Sequence, residues 1–376
     1  MFFRAILIIG AMLFVAYANG ANDNFKGVAT LFGSGVADYR KALWWATAAT
    51  LAGSLAAMLL ATRLISVFQG KGLVPDELIQ SPDFLASVVL GAAITVMAAT
   101  RIGMPISTTH SLTGALLGSG VAAAGFHLNV GTLFQSFFLP LLVSPLIAVA
   151  SSFLLYPLSR AALRFAGVDK QTCVCVGNEV MPVMVTPEGY TFSNAWSPLR
   201  VIVDQEAHCV QRLTGSVLGI NVQKLIDYGH YFSAGAVSFA RGLNDTPKIV
   251  ALGIAAGALG FEWSIGLVAI VMAVGGLLNT KRVAETVSQR ITAMEPDQGF
   301  LANLVTSFLV IFASKWGMPV STTHVSCGSL FGIGVVNGHA QWGVIRNILL
   351  AWVLTLPFAG VSAGLIYMLL SQIIHA

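Results

Sequence analysis

Long uncharged apolar runs alternate along the chain with short polar interruptions. Residues 42–62, 102–159 and 347–376 contain no Asp, Glu, Lys or Arg, and about 20 apolar residues are enough for a helix to cross a bilayer. Taken with the charges and helix breakers, the pattern predicts helices near residues 2–34, 42–66 and 132–157, and again near 228–258, 262–280 and 343–374. Two further apolar segments, 84–126 and 298–336, are each cut by Gly-Met-Pro followed one residue later by Ser-Thr-Thr-His. Residues 158–227 are the one long polar stretch, with three prolines and β-type runs such as VMPVMVT and VIVDQ. The expected fold is therefore an all-α polytopic membrane protein: a first membrane repeat (1–157), a polar extramembrane insert (158–227) and a second membrane repeat (228–376). The first apolar run leads into GANDNFK rather than a small-residue cleavage site, so it reads as a retained helix and not a signal peptide.

The two halves share sequence. GANDNFKGVA at 20–29 matches GLNDTPKIVA at 242–251 in six of ten positions, and RIGMPISTTHSLTG at 101–114 matches KWGMPVSTTHVSCG at 315–328 in GMP, STTH and the final Gly. Interrupted hydrophobic segments at corresponding places in two halves point to a transporter's binding site near the bilayer midplane. If each interrupted segment is a re-entrant helical hairpin, each half has three crossings, and an odd number makes the repeats inverted. Placing the N-terminus outside puts Arg40, Lys41, Arg160, Arg164, Lys170, Lys281, Arg282, Arg290 and Arg346 at cytoplasmic edges and leaves chiefly Arg4, Arg63 and Lys71 outside, as the Lys/Arg bias requires. The insert then lies in the cytoplasm, where its thiols are expected to be reduced.

Composition narrows the function. Of 376 residues 56% are apolar and 10% charged, against roughly 25% charged in soluble domains, which excludes an ordinary soluble enzyme. The net charge of +4 is spread singly or in pairs, with no basic tract for nucleic acid. Cys173, Cys175 and Cys209 lie in the polar stretch and Cys327 elsewhere; the spacing lacks the paired pattern of zinc sites, so no metal or cofactor is expected. Trp44, Trp45, Trp263, Trp342 and Trp352 fall near segment ends and read as interface anchors.

Asp23 and Asp245 each follow an Asn inside an apolar segment, and a carboxylate at membrane depth costs at least about 2.5–3.5 kcal/mol. Gly20 and Gly242 would let the helix unwind there, freeing carbonyls that suit a hard cation or a proton. Each pair could instead mark a surface loop, but recurrence in both halves favours the site. In the GMPxSTTH element, Gly and Pro stop one helix and the hydroxyls cap the next. A helix N-terminus with Ser107, Thr108 and Thr109, opposed by one with Ser321, Thr322 and Thr323, could grip a tetrahedral anion from two sides. His110 and His324 follow at equivalent places, for proton handling, for contact with the anion or for a hydrogen bond that shapes the hairpin.

These motifs resemble the inorganic phosphate transporter (PiT) family, the sodium- or proton-coupled phosphate permeases that also include sulfate permeases. The resemblance rests on GAND at 20–23, GLND at 242–245 and the paired GMPxSTTH tips at 103–110 and 317–324. It implies that Asn22, Asp23, Asn244 and Asp245 belong to the ion and phosphate sites, that the tip hydroxyls contact inorganic phosphate, and that the protein is a homodimer in the cell (inner) membrane. The family commonly has Asn three residues after the Asp, whereas Lys26 and Lys248 stand there. A spacing of three brings each ammonium to its Asp if the turn is helical, and a tethered cation could replace sodium, which points to H+ coupling with Na+ as the alternative. The lysines could also extend to the interface. The expected function is phosphate symport; a sulfate permease, an anion channel and an oxyanion sensor are the competing readings.

Overall fold

The computed structural model describes residues 2–168, 172–179, 184–185, 191–192, 199–205, 208, 213–255, 257, 259–291 and 294–375. Among these, the first half comprises α1 (Phe2–Asp23), α2 (Ala29–Gly33), α3 (Tyr39–Leu60), α4 (Thr62–Phe68), α5 (Asp76–Ile79), α6 (Pro82–Arg101), α7 (Thr108–Ala124) and α8 (Val130–Phe165). The second comprises α9 (Val222–Ala255), α10 (Phe261–Asn279), α11 (Lys281–Glu285), α12 (Pro296–Lys315), α13 (Thr322–Asn337) and α14 (Trp342–His375). Seven of the described helices are long and apolar enough to cross a membrane. Large apolar side chains such as Leu59, Leu142, Leu154 and Val353 are exposed on them, which is stable only against lipid.

The chain divides into two compact units, Met1–Tyr156 with His230–Ala376, and Pro157–Gly229. The smaller corrects the all-α expectation. Its strands β1 (Thr172–Glu179), β4 (Leu199–Gln205) and β5 (Leu213–Asn221) form an antiparallel sheet in the order β4-β1-β5, and β2 (Met184–Val185) pairs with β3 (Thr191–Phe192). Alternation along β1 turns Cys173 and Cys175 inward. Cys175 is disulfide-bonded, against the expectation of reduced thiols; Cys209 lies outside the described residues.

In the membrane unit the first helix of each half packs on the second helix of the other. A Cβ on Gly20 of α1 would come within 2.0 Å of the Met272 carbonyl of α10, and one on Gly242 of α9 within 2.1 Å of the Thr50 carbonyl of α3. These glycines serve close helix crossing and not the unwinding expected of them, since both lie inside helices. The chain does break in the first half, at 24–28, where the bonds Lys26 N to Asp23 O and Val28 N to Phe25 O (both 3.1 Å) replace the α-helical ladder. The second half corrects the expectation of a matching break: α9 runs unbroken through GLNDTPK with Pro247 inside it. Gly27 is Ile249 in the second half, but Asn24 and Thr246 have similar helix propensity and Phe25 is replaced by Pro247, so helix propensity does not explain why α9 stays unbroken.

Both interrupted segments are helix pairs, α6 on α7 and α12 on α13. Each leading helix ends in the same way. Gly103 (φ 75°) and Gly317 (φ 73°) take the left-handed conformation that glycine alone adopts without strain. Met104 N reaches Ala99 O and Met318 N reaches Ala313 O, both at 2.9 Å, the closing bond of a Schellman cap. Pro105 and Pro319 then carry the chain to Ser107 and Ser321, which cap α7 and α13 by accepting from the backbone N–H of His110 (3.1 Å) and His324 (3.2 Å).

A candidate anion and proton site

The Asn-Asp segments of α1 and α9 meet the two tips in a buried polar cluster. Lys26 and Lys248 do not extend to an interface; both are buried. The Lys26 ammonium donates to Asp23, to Asn22 Oδ1 (2.8 Å), to the Ile106 carbonyl of its own half's tip (2.7 Å) and to Thr323 Oγ1 of the opposite tip (2.7 Å). Lys248 repeats the pattern: Asp245 Oδ1 (3.3 Å), the Val320 carbonyl of its own tip (2.7 Å) and Thr109 Oγ1 of the other (2.7 Å). Each lysine thus ties its own Asp, its own tip and the other half's tip into one network. Thr109 and Thr323 also donate across to the Val320 and Ile106 carbonyls, at 3.2 and 3.0 Å.

The remaining predicted residues fall around this network. Asn22 donates to Thr100 Oγ1 (2.9 Å) and the Met104 carbonyl (3.1 Å) and accepts from Ile106 N (3.2 Å), so it fastens the tip to α6. Asn244 does the same in its half: it donates to the Val320 carbonyl (3.1 Å) and accepts from Ser314 (3.1 Å). Thr108 donates to Asp23 Oδ2 at 3.2 Å, and Thr322 accepts a long bond of 3.5 Å from Asn244. Ser107 and Ser321 use their oxygens as caps. The His110 and His324 rings are neighbours, centroids 4.2 Å apart with their planes tilted by 46°, and His324 is stacked on Trp352 at 3.7 Å. Trp352 is therefore buried and not an interface anchor, unlike the exposed Trp44, Trp263 and Trp342. His110 Nδ1 and His324 Nε2 are buried without a hydrogen-bond partner. Arg101 and Lys315 stay exposed at the C-terminal ends of α6 and α12, where a cation complements the helix dipole.

Two residues of the cluster escaped the sequence reading. Asn19 donates to Asp23 Oδ2 (3.1 Å), Thr108 Oγ1 (2.9 Å) and Asp245 Oδ2 (3.2 Å), joining the carboxylates of both halves. Arg241 is buried and donates to Asn19 Oδ1 at 2.6 Å. It occupies the position equivalent to Asn19, four residues before the aspartate. An arginine inside an apolar segment was the signal available, since such a charge is retained at membrane depth only with a role. Chemically, the cluster offers hydroxyl, amide, ammonium and guanidinium donors to an oxyanion, and two Asp–Lys pairs between which a proton can be held.

A sequence profile of the phosphate transporter family matches residues 19–363. A Pyrococcus abyssi protein bearing the name phosphate permease is 26% identical, over 97% of this chain and 96% of its own length. The inorganic phosphate transporter 2-1, chloroplastic, of Arabidopsis thaliana is 28% identical, over 96% of this chain and 71% of its own. Among solved structures, one named the sodium-dependent phosphate transporter shares the fold, with a TM-score of 0.75 and 21% identity over 98% of this chain and 99% of that one.

Proposed function

The chain belongs to the phosphate transporter family and is a multi-pass membrane protein, and from that premise we propose that it is a secondary active transporter that carries inorganic phosphate with a proton. The observation that carries the reading is the ammonium of Lys26 and Lys248, each lodged between its own aspartate and both tips. A bound sodium would neutralise that carboxylate and draw in those oxygens; a tethered cation does the same work without an ion from solution. The similar solved protein is named for its dependence on sodium, so the lysines are the point at which this chain would depart from it.

In this reading the helix pairs α6–α7 and α12–α13 are re-entrant hairpins of two inverted repeats, and alternating access moves the tips relative to the Asn-Asp segments. Reciprocal crossing of α1 with α10 and of α9 with α3 supports the inversion. Carboxylates favour phosphate over sulfate, because protonated phosphate has a hydrogen to donate and sulfate has none. The relatives above are named for phosphate as well. The cell membrane as location and a homodimer as assembly belong to the same proposal.

Initial uptake of labelled phosphate into proteoliposomes tests it, with sodium or choline outside, at equal and then unequal pH. Uptake is expected to follow the proton gradient and to ignore the cation, and Lys26→Asn and Lys248→Asn are expected to weaken the response to pH. Strict dependence on sodium with no response to the proton gradient would overturn the coupling.

A further inference from the structure

Arg241 breaks the symmetry of the duplicated core. Its Nη2 donates to the Asn19 side chain (2.6 Å) and carbonyl (3.3 Å), and its Nη1 to Asn24 Oδ1 (3.1 Å) and Thr50 Oγ1 (3.3 Å). Nε lies 3.9 Å from Asp245 Oδ2 and is buried with no hydrogen-bond partner. The contact with Asn19 is also what turns that amide's NH2 toward both aspartates and Thr108.

The charges of the core do not cancel. Asp23 and Asp245 face Lys26 and Lys248, and the guanidinium, charged at any working pH, is left as one positive charge in excess. His110, His324 and the Cys327 thiol are the other titratable groups around the lysines, and in their uncharged forms they add nothing to this sum. Asp83, the one further buried charge among the described residues, lies at the start of α6.

We propose that Arg241 selects the charge of the transported anion: its guanidinium admits a monoanion, dihydrogen phosphate, and makes transport electroneutral, one proton with each anion. This rests on the proton-coupled reading above. A buried net charge is costly, so the core changes orientation when neutral. Loaded with dihydrogen phosphate, with both lysines protonated, it is neutral. Emptied, it becomes neutral again only when one Asp–Lys pair gives its proton to the same side that received the anion. Anion release and proton release are thereby joined, and one proton and one dihydrogen phosphate leave one side and arrive on the other. A dianion overshoots neutrality. Phosphate corrects this by taking up a proton; sulfate cannot, and is excluded by charge as well as by its lack of a donor.

The purified full-length protein can be tested in two ways. Calorimetric binding of inorganic phosphate between pH 6 and 8 is compared in competition with hypophosphite, a permanent tetrahedral monoanion, and sulfate, a permanent dianion. Uptake driven by a pH gradient is then measured in proteoliposomes with the membrane potential clamped by potassium and valinomycin. Hypophosphite is expected to compete and sulfate not, affinity for total phosphate to fall as pH rises through phosphate's second ionisation, and uptake to be unchanged by an inside-negative potential. Arg241→Lys keeps the anion preference and the indifference to potential whatever its rate. Arg241→Gln lowers phosphate affinity at least tenfold, and its residual uptake is slowed by inside-negative potential, because its loaded core carries one negative charge. Where Arg241→Gln does not fold, the wild-type protein and Arg241→Lys decide. Sulfate competing as well as hypophosphite, or wild-type uptake that tracks the potential, overturns the role of Arg241 while leaving proton coupling intact. Absence of phosphate binding, or uptake that requires sodium, overturns both.

Discussion

GANDNFK in the first half and GLNDTPK in the second reach the same set of bonds on different backbones. The first leaves the α-helix at Asn24 and closes two short turns before α2; the second stays helical throughout α9. Yet Lys26 and Lys248 each arrive at their own aspartate, their own tip carbonyl and the opposite tip's threonine. A long flexible side chain absorbs the backbone difference, so what is duplicated is the network and not the local fold. The difference that survives is electrostatic: Asp245 has Arg241 beside it, and Asp23 has only the amide of Asn19 at the equivalent place.

The largest effect expected follows from that asymmetry. Lys26→Met leaves the Asp23 carboxylate buried with two neutral donors, Asn19 and Thr108, and removing one partner of a buried pair costs about 3–5 kcal/mol. Lys248→Met leaves Asp245 near a guanidinium, so its cost should be clearly smaller. Thermal unfolding in detergent ranks the two, and equal losses would mean that Arg241 does not compensate Asp245. The double variant Asp23→Asn with Lys26→Met removes the unpaired charge, and should recover folding while uptake stays absent.

A smaller effect tests the crossed pairing of lysines and tips. Thr323→Val removes a bond to Lys26, and Thr109→Val one to Lys248, each a hydrogen bond to a charged group worth about 1.5–3 kcal/mol. In double-mutant cycles on phosphate affinity, Lys26 should couple to Thr323 and not to Thr109, and Lys248 the reverse. Coupling within a half rather than between halves would break the scheme in which each lysine holds both tips.

Much of this architecture was legible in the sequence because it was written twice. The tips could be read from Gly-Met-Pro and Ser-Thr-Thr, since a left-handed glycine, a proline and a capping hydroxyl each impose a definite local geometry. The positions of Asn22, Asp23 and Lys26 followed from their recurrence as Asn244, Asp245 and Lys248. What repetition could not reveal is where the halves differ. Asn19 aligned with Arg241 gives no match, so the residues that join the two carboxylates went unread. The unbroken α9 was missed for a related reason: identical Gly-x-Asn-Asp letters suggested identical backbones, and Pro247 in the second half suggested a break that the helix does not make. The sheet of the insert was half-visible, as β-type runs without a partner in sequence.

The smallest effect concerns the second helix of each half, where the two starts differ by one cap. Asp38 caps α3 by accepting from the Lys41 backbone N–H at 2.9 Å, whereas α10 begins at Gly260, which has no side chain to offer. Gly260 already has the extended backbone of a cap (φ −63°, ψ 157°), so Gly260→Asp should add a few tenths of a kcal/mol. Asp38→Gly should lower the thermal midpoint slightly. That backbone N–H holds the Asp38 carboxyl below its usual range. A carboxylate whose pKa is lower folded than unfolded stabilises above the unfolded value, and the benefit is lost as pH falls through the folded one. The difference between wild type and Asp38→Gly should therefore be full at neutral pH and fade below roughly pH 4. Melting curves of the two proteins at neutral and acidic pH make the comparison; a cap effect that persists unchanged in acid would mean that the Asp38 side chain stabilises α3 by something other than its charge.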